Sequence, residues 1–298
     1  MNISILGKGA WGLAIGELLQ TQGHSVEWLE KGERKVSDGS EMIIIALPTQ
    51  VVREVLQKVT TKSGKIPVIS LSKGIDIETG QRISQMVALH WPEAPFVALS
   101  GPSLAGELRK KVPTAMVAAS LSDDWATQVQ QIFHGPFLRV YRSRDLSGVE
   151  WGGALKNIYA LAAGMCAGLG LGENSLAGLV TRSLREMTRI AIHFGAQETT
   201  LHGLSGMGDL VLTSYSRASR NRRVGERLGA GDSLDQALTS VEGICEGVPS
   251  TQALHRILQS QTVEAPVAEE LYQILFKDKP PKQALLSLLS RDPKEERE

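Results

Sequence analysis

The first twelve residues restrict the fold more than any other stretch of this chain. Asn2–Leu6 reads as a buried strand, and Gly7-Lys8-Gly9-Ala10-Trp11-Gly12 follows it at once. A G-x-G-x-x-G run that leaves a strand and opens a helix is built for a dinucleotide. Gly7 permits the tight turn, Gly9 lets the backbone approach a pyrophosphate, and Gly12 lets helix lie close on strand. The unpaired N–H groups of the helix N-terminus attract the anion. A glycine turn with a purely structural role is the competing reading, and the strand–turn–helix context favours the ligand.

Beyond this turn, short β-rich runs alternate with helical stretches. Strands are expected at Asn2–Leu6, Ser25–Leu29, Met42–Ala46, Ile66–Leu71, Phe96–Ser100 and Thr114–Ala119. Runs such as Ile43-Ile44-Ile45 are apolar without alternation, as in strands covered on both faces. Helices are expected at Trp11–Gln20, Gln50–Val59, Gly80–Leu89 and Asp123–Phe133. This repetition predicts an α/β fold with a doubly wound parallel sheet. From Val149 onward strand signals vanish, and the spacing predicts helices only, at Trp151–Met165, Ser175–Phe194, Ser219–Leu228, Ser233–Leu238, Thr251–Gln259 and Pro266–Phe276. The chain is therefore expected to divide into a dinucleotide-binding domain, 1–145, and an all-helical domain, 146–298.

Composition excludes other classes. The 298 residues carry a formal net charge of +0, so no basic surplus marks a nucleic-acid binder. The two cysteines, Cys166 and Cys245, are too few for a zinc site of cysteines alone, and two reduced thiols in a cytosolic protein are the simpler reading than one disulfide. The start lacks a basic leader and an apolar export segment, and no run of about 18 apolar residues occurs to span a membrane.

Several residues stand out as carriers of chemistry. Glu30, at the end of the second strand, sits where an acidic side chain would meet the ribose of NAD, but Lys31, Arg34 and Lys35 follow and could hold the 2′-phosphate of NADP. A solvated turn accounts for all four equally. Lys156 shares a helix face with Gly152, Gly153, Ala160, Ala163 and Gly164, a gully of small residues into which a ligand could come close. Partial burial there would bring the amine toward the working pH. A lysine that snorkels out of a packed helix is the alternative. Lys73 and the Ser100-Gly101-Pro102-Ser103 loop follow strands, at the sheet edge where ligands bind in open α/β folds. Asp209, in Gly203-Leu-Ser-Gly-Met-Gly-Asp209, would orient Lys156 if it faced it, or cap the next helix if it did not. Ser219-Arg220-Asn221-Arg222-Arg223 suits one small anion such as a phosphate, or forms a solvated basic patch.

Taken together, these motifs resemble the NAD(P)-dependent glycerol-3-phosphate dehydrogenase family. The carrying segments are Gly7–Gly12, Leu71-Ser-Lys73-Gly-Ile75, Leu99-Ser-Gly-Pro-Ser103, Val149-Glu-Trp-Gly-Gly-Ala-Leu-Lys156-Asn157, Gly203–Leu210, Ser219–Arg223 and Glu246-Gly247-Val248. They run in order from about residue 3 to about residue 276. The Gly-Ala-Leu-Lys-Asn and Ser-Arg-Asn-Arg segments are far more specific than the glycine fingerprint.

The resemblance implies a Rossmann-like N-terminal sheet and a helical C-terminal domain. It implies reversible reduction of dihydroxyacetone phosphate to sn-glycerol 3-phosphate for phospholipid synthesis, with NAD(P) and no metal. Lys156 matches the family's proton donor and acceptor, with Asp209 as the carboxylate beside it. Lys73, Gly101 and Ser103 match substrate contacts, Lys73 also lying near the nicotinamide. Ser219, Arg220 and Asn221 match the substrate-phosphate site. Gly7, Gly9, Trp11, Gly12, Lys31, Ala105, Arg220, Ile244 and Glu246 match cofactor-side positions. A cytoplasmic homodimer is also implied. One departure is clear: only Lys31–Glu41 separates the second and third strands, and an Asn-Tyr-Leu-Pro-like loop is missing. Cofactor choice is therefore open, with a slight lean to NADP. Two other readings remain. A β-hydroxyacid-type dehydrogenase would space its lysine and asparagine by four positions, whereas Lys156 and Asn157 are adjacent. A non-catalytic dinucleotide-binding protein would have lost Lys156, Asp209 or Arg220, and all three are present.

Overall fold

The computed structural model describes residues 1–30, 32, 33, 35–293, 295 and 296. Seven strands form one sheet in the order β2-β1-β3-β4-β5-β6-β7. They are β1 (Asn2–Leu6), β2 (Ser25–Leu29), β3 (Met42–Ile45), β4 (Val68–Ser70), β5 (Phe96–Ser100), β6 (Thr114–Ala119) and β7 (Leu138–Ser143). β1 pairs in parallel with both β2 and β3, so the chain reverses its winding direction between β1 and β3. The glycine turn leaves β1 at this switch point, which is where open α/β sheets leave a crevice.

Helices α1 (Ala10–Thr21), α2 (Thr49–Lys58), α3 (Ile83–His90), α4 (Ala105–Arg109) and α5 (Asp123–Phe133) cover the sheet. Two separate apolar clusters line its faces, one around Ile5, Ile44, Val97 and Phe133, the other around Ile43, Ile45, Val68 and Met86. Burial on both faces is why the strands carry unbroken Ile and Val runs.

Several features depart from the expected pattern, the unexpected short helix α4 among them. β6 pairs antiparallel with β5, so the sheet is mostly rather than wholly parallel. β7 adds a seventh strand at the edge, where Arg139, Tyr141 and Arg142 are exposed. Alternating burial with charged residues hides an edge strand from a search for continuous apolar runs. The third helix starts at Ile83 rather than Gly80, because Gly80 adopts φ +70 in the preceding turn.

From Leu146 the chain is helical: α6 (Leu146–Gly168), α7 (Gly172–His193), α8 (Glu198–Leu201), a π-helical turn at Leu204–Gly208, α9 (Asp209–Tyr215), α10 (Arg220–Gly229), α11 (Leu234–Thr239), α12 (Gly247–Leu258), α13 (Pro266–Phe276) and α14 (Pro281–Leu289). α14 was not expected; its exposed Leu286 and Leu289 blur the apolar face. α6 is buried almost throughout, and its low amphipathicity follows from that. It is the axis on which α7, α9, α10, α12 and α13 pack.

α10 lies against α6 with backbones in contact. A Cβ on Gly164 would come within 2.0 Å of the Arg222 carbonyl, and one on Gly225 within 2.0 Å of the Leu161 carbonyl. Gly164 therefore does not belong to an open gully beside Lys156, as the helix-face pattern suggested. Its missing side chain admits a neighbouring helix rather than a ligand. Gly152 is likewise closed, by the Ser205 carbonyl at 2.6 Å from an ideal Cβ.

α6 is also fastened to the sheet half. Glu150 accepts from the Ser84 backbone N–H (2.8 Å), the Ser84 hydroxyl (2.6 Å) and Arg82 Nη1 (2.6 Å) at the start of α3. Burial pushes the Glu150 carboxyl up, against the pull of Arg82. Among the described residues, no helix is long and apolar enough to cross a membrane.

Candidate active site

Gly7 holds φ +108, and an ideal Cβ there would meet the Ala46 carbonyl at 2.6 Å. Only glycine fits this turn from β1 to α1, which packs against the end of β3. A Cβ on Gly12 would lie 2.0 Å from the Gly7 carbonyl, so helix and strand touch there. Gly9 differs, because nothing lies within 4 Å of its ideal Cβ. That open backbone faces a cleft of about 780 Å³ bordered by Gly7, Lys8, Gly9, Glu30, Leu47 and Pro48. Trp11 and Ala105 pack at the margin of the cluster beneath α1. Lys31 lies outside the described residues.

A second group forms where β4 and β5 end against α6 and α9. Lys156 Nζ lies 3.1 Å from Asp209 Oδ1 and donates to Thr213 Oγ1 at 2.9 Å. Lys73 Nζ donates to Asp209 Oδ2 at 2.6 Å and to the Gly101 carbonyl at 2.9 Å. Asp209 thus sits between two ammoniums, and its side chain is 1% exposed. It does not cap α9: the helix starts on it, directly from the π-helical turn, and the carboxylate points back at the lysines. Of the two roles open to Asp209 from sequence, the lysine-facing one is observed.

The electrostatics follow from burial and charge. Burial lowers the Lys156 amine to about 8, further helped by Lys73 and Arg220 and opposed by Asp209. Burial would raise Asp209, but Lys156 and Lys73 outweigh it and hold the carboxyl below its usual range. Gly153 packs closely against this group, since its ideal Cβ would lie 3.0 Å from Ser100 Oγ and 3.4 Å from Lys73 Cγ. Ser103 turns back on the same loop, donating to the Gly101 carbonyl at 3.0 Å.

The N-terminus of α10 forms the next wall. Ser219 caps it, accepting from the Arg222 N–H at 3.2 Å. Asn221 Nδ2 donates to Asn157 Oδ1 (2.8 Å), and Asn157 Nδ2 donates to the Lys73 carbonyl (3.1 Å). Asn221 Oδ1 also accepts from the Gly247 N–H (2.9 Å) and the Cys245 thiol (3.0 Å). Two amides therefore tie α10, α6, α12 and the Lys73 loop together. Arg220 lies against Gly243, whose ideal Cβ would be 2.9 Å from Nη1. Glu246 accepts from the Thr49 N–H at 2.9 Å, joining α12 to the start of α2. Burial raises the Glu246 carboxyl. Ile244 beside it is exposed. Cys166 and Cys245 are both buried and free.

The structure thus gathers Lys73, Gly101, Lys156, Asp209 and Asn221 into one bonded network, with Arg220 near enough to act on Lys156. Trp11, Ala105 and Ile244 make no polar contact with it among the described residues. Thr213, Asn157 and Thr49 were not anticipated. Thr213 stands one helical turn after Asp209, a spacing that could have flagged it; Asn157, next to Lys156 on the helix, points to another face and is brought in by the Lys73 carbonyl and Asn221.

Known proteins match this chain along its whole length. Models of the NAD-dependent glycerol-3-phosphate dehydrogenase N-terminus and C-terminus match residues 29–126 and 145–286. A glycerol-3-phosphate dehydrogenase of the NAD(P)+ type from Pelodictyon phaeoclathratiforme is 39% identical, with 100% of each chain covered. Its counterpart from Geobacter metallireducens is 39% identical over 99% of each. The former alignment spans 334 positions, more than the 298 residues here, so this chain carries the gaps. The crystal structure of glycerol-3-phosphate dehydrogenase from Coxiella burnetii is 31% identical, with a TM-score of 0.90 over 97% of this chain and 99% of that one. With both halves matched in order and relatives aligned end to end, the chain belongs to the NAD(P)-dependent glycerol-3-phosphate dehydrogenase family.

Proposed function

We propose that the chain catalyses reversible reduction of dihydroxyacetone phosphate to sn-glycerol 3-phosphate, with Lys156 as proton donor and acceptor. The observation that carries this reading is the buried Lys156–Asp209–Lys73 group, with the Lys156 amine lowered to about 8. An ammonium poised near the working pH both stabilises a developing alkoxide and can release its proton to it. Asp209 orients Lys156, and its charge keeps the amine from falling lower still. Lys73, Gly101 and Ser103 border the substrate. Ser219, Arg220 and Asn221 form the end that holds the phosphate, so binding energy remote from C2 fixes the carbonyl in place.

The open Gly9 backbone, the start of α1 and the adjoining cleft fit the pyrophosphate of a dinucleotide. Gly7, Gly9, Trp11 and Gly12 would hold it at the turn, and Lys73, Ala105, Arg220, Ile244 and Glu246 farther along. Lys31 is assigned to the same site on its place in the sequence alone. When bound, the nicotinamide supplies or accepts the hydride at C2. Residues 1–145 act as the dinucleotide half and 146–298 as the substrate half. The enzyme works as a homodimer in the cytoplasm, as the family resemblance implies.

The test follows NADH and NADPH oxidation with dihydroxyacetone phosphate by absorbance. No turnover with either cofactor refutes the activity. Lys156→Ala abolishes turnover and leaves cofactor binding intact; loss of binding instead would assign the lysine a structural role.

A further inference from the structure

The charged group at the site is drawn from both halves of the chain. Lys156 and Thr213 meet Asp209 within the helical half, on α6 and α9. Lys73 and the Gly101 carbonyl belong to the sheet half. The Lys73–Asp209 contact at 2.6 Å therefore spans the joint, and its length depends on how α6 is seated. Glu150, Gly153 and Asn157 form that seat, spaced by three and four residues along one face of α6. Gly153 lies close on Lys73 and Ser100, and Asn157 Nδ2 donates to the Lys73 carbonyl at 3.1 Å. Glu150 uses both carboxylate oxygens. Oε1 accepts from the Ser84 N–H at 2.8 Å, and Oε2 accepts from the Ser84 hydroxyl and from Arg82 Nη1, each at 2.6 Å. Its side chain is 7% exposed.

These bonds lie at the start of α3, away from the reacting groups. A carboxylate taken this far out of water is costly unless donors surround it, and three do. Glu150 and Asn157 stand two turns apart on α6 and bracket Lys156. We infer that Glu150 is a positioning residue: by fastening α6 to α3 it sets how far Lys73 stands from the Lys156–Asp209 pair. Its effect on turnover rests on the reading of Lys156 as the proton donor.

Release of Glu150 frees α6 to swing away from α3. Lys156 and Asp209 move together, since both belong to the helical half. Lys73 stays with the sheet, because Gln50 on α2 holds the loop after it, donating to the Ile75 carbonyl at 2.8 Å and accepting from the Ile77 N–H at 3.0 Å. The charges that face Lys156 are Asp209, Lys73, Arg220 and Glu246, and of these Lys73 is the one carried by the sheet half. Lys73 repels the Lys156 proton and takes a share of Asp209. With Lys73 drawn back, Lys156 keeps its proton to higher pH. At an effective dielectric of about 20, withdrawing a unit charge by about 1 Å from about 5 Å is worth about half a pKa unit.

The test compares the wild type with Glu150→Gln and with a destabilised control, Glu186→Gln. Glu186 on α7 accepts from the Val267 and Ala268 N–H groups, each at 2.9 Å, so its loss loosens α13 rather than the joint. Two pH profiles are measured. One is kcat for dihydroxyacetone phosphate reduction. The other is trace labelling of Lys156 by acetic anhydride, followed by peptide mass spectrometry, which needs no turnover. Glu150→Gln is expected to lower kcat about tenfold, as a misplacement of about 1 Å implies. It is also expected to move both breaks up from about 8 by about half a unit. Glu186→Gln is expected to lower the melting temperature and leave both breaks at about 8. A labelling break that stays or falls in Glu150→Gln, or that moves equally in the two variants, overturns the inference. Should Glu150→Gln not fold, Arg82→Gln removes the same ion pair from its partly buried partner and is held to the same outcomes. A shifted labelling break in a protein without turnover leaves the inference standing and removes the proposed activity. Turnover with an unshifted labelling break does the reverse.

Discussion

Replacing Asp209 by asparagine tests the proposed chemistry at its centre. The substitution keeps shape and removes the negative charge that Lys73 and Lys156 share at 2.6 and 3.1 Å. At an effective dielectric of about 20, a unit pair at 3.1 Å is worth about 5 kcal/mol. That is about four pKa units. If the two ammoniums recover half by moving apart, Lys156 still falls by about two units, from about 8 to near 6. The assay is kcat for dihydroxyacetone phosphate reduction between pH 5 and 9. The wild-type rate holds below about 8 and falls above it, as the donor loses its proton. In Asp209→Asn the fall begins near 6, leaving a few per cent of the plateau at pH 7.5. A variant whose rate still breaks near 8 refutes the role of Asp209 in holding the proton on Lys156.

Stability gives an independent reading of the same charge. A lysine with a lowered folded value binds fewer protons folded than unfolded above that value. In the wild type this penalty is full below about 8 and is relieved as pH rises through 8 toward 10.5. In the variant the relief starts near 6, so its melting temperature rises between pH 6 and 8 over a range where that lysine contributes no change to the wild type.

Four further outcomes are expected. Arg220→Ala raises KM for dihydroxyacetone phosphate by about tenfold or more, as loss of a charge-assisted phosphate contact implies, and an unchanged KM removes it from the phosphate site. Gly225→Ala pushes a Cβ against the α6 backbone at Leu161 and Met165, costing about 1–3 kcal/mol in urea denaturation. Gly178→Ala in α7, with open space around it, stabilises by about 0.5–1 kcal/mol, and equal effects at the two sites would contradict the helix contact. Neither Cys166 nor Cys245 reacts with a thiol reagent within minutes in the native protein, since both are buried and burial pushes Cys245 to about 11; one thiol reacting at once would disprove this.

How far the sequence determines this protein depends on the range of the forces involved. The glycine turn, the strand–helix alternation and the switch to helices after β7 are local matters of backbone freedom and apolar period, and they are legible residue by residue. So were the individual members of the candidate site, because Lys156, Asp209, Lys73 and Arg220 stand in motifs of unusual composition. Their mutual arrangement was not legible. Whether Asp209 capped a helix or faced a lysine depended on a π-helical turn that aims its side chain across to α6 and the Lys73 loop. Whether the small residues of α6 made room for a ligand or for a helix depended on α10, which begins 52 residues beyond Gly168. Edge strand β7 and the reversed β6 escaped because direction and position in a sheet leave no period in the chain. Sequence thus named the groups and the local frame; the tertiary structure alone decided which of them touch, because charge pairing and close packing act between segments that periodicity cannot relate.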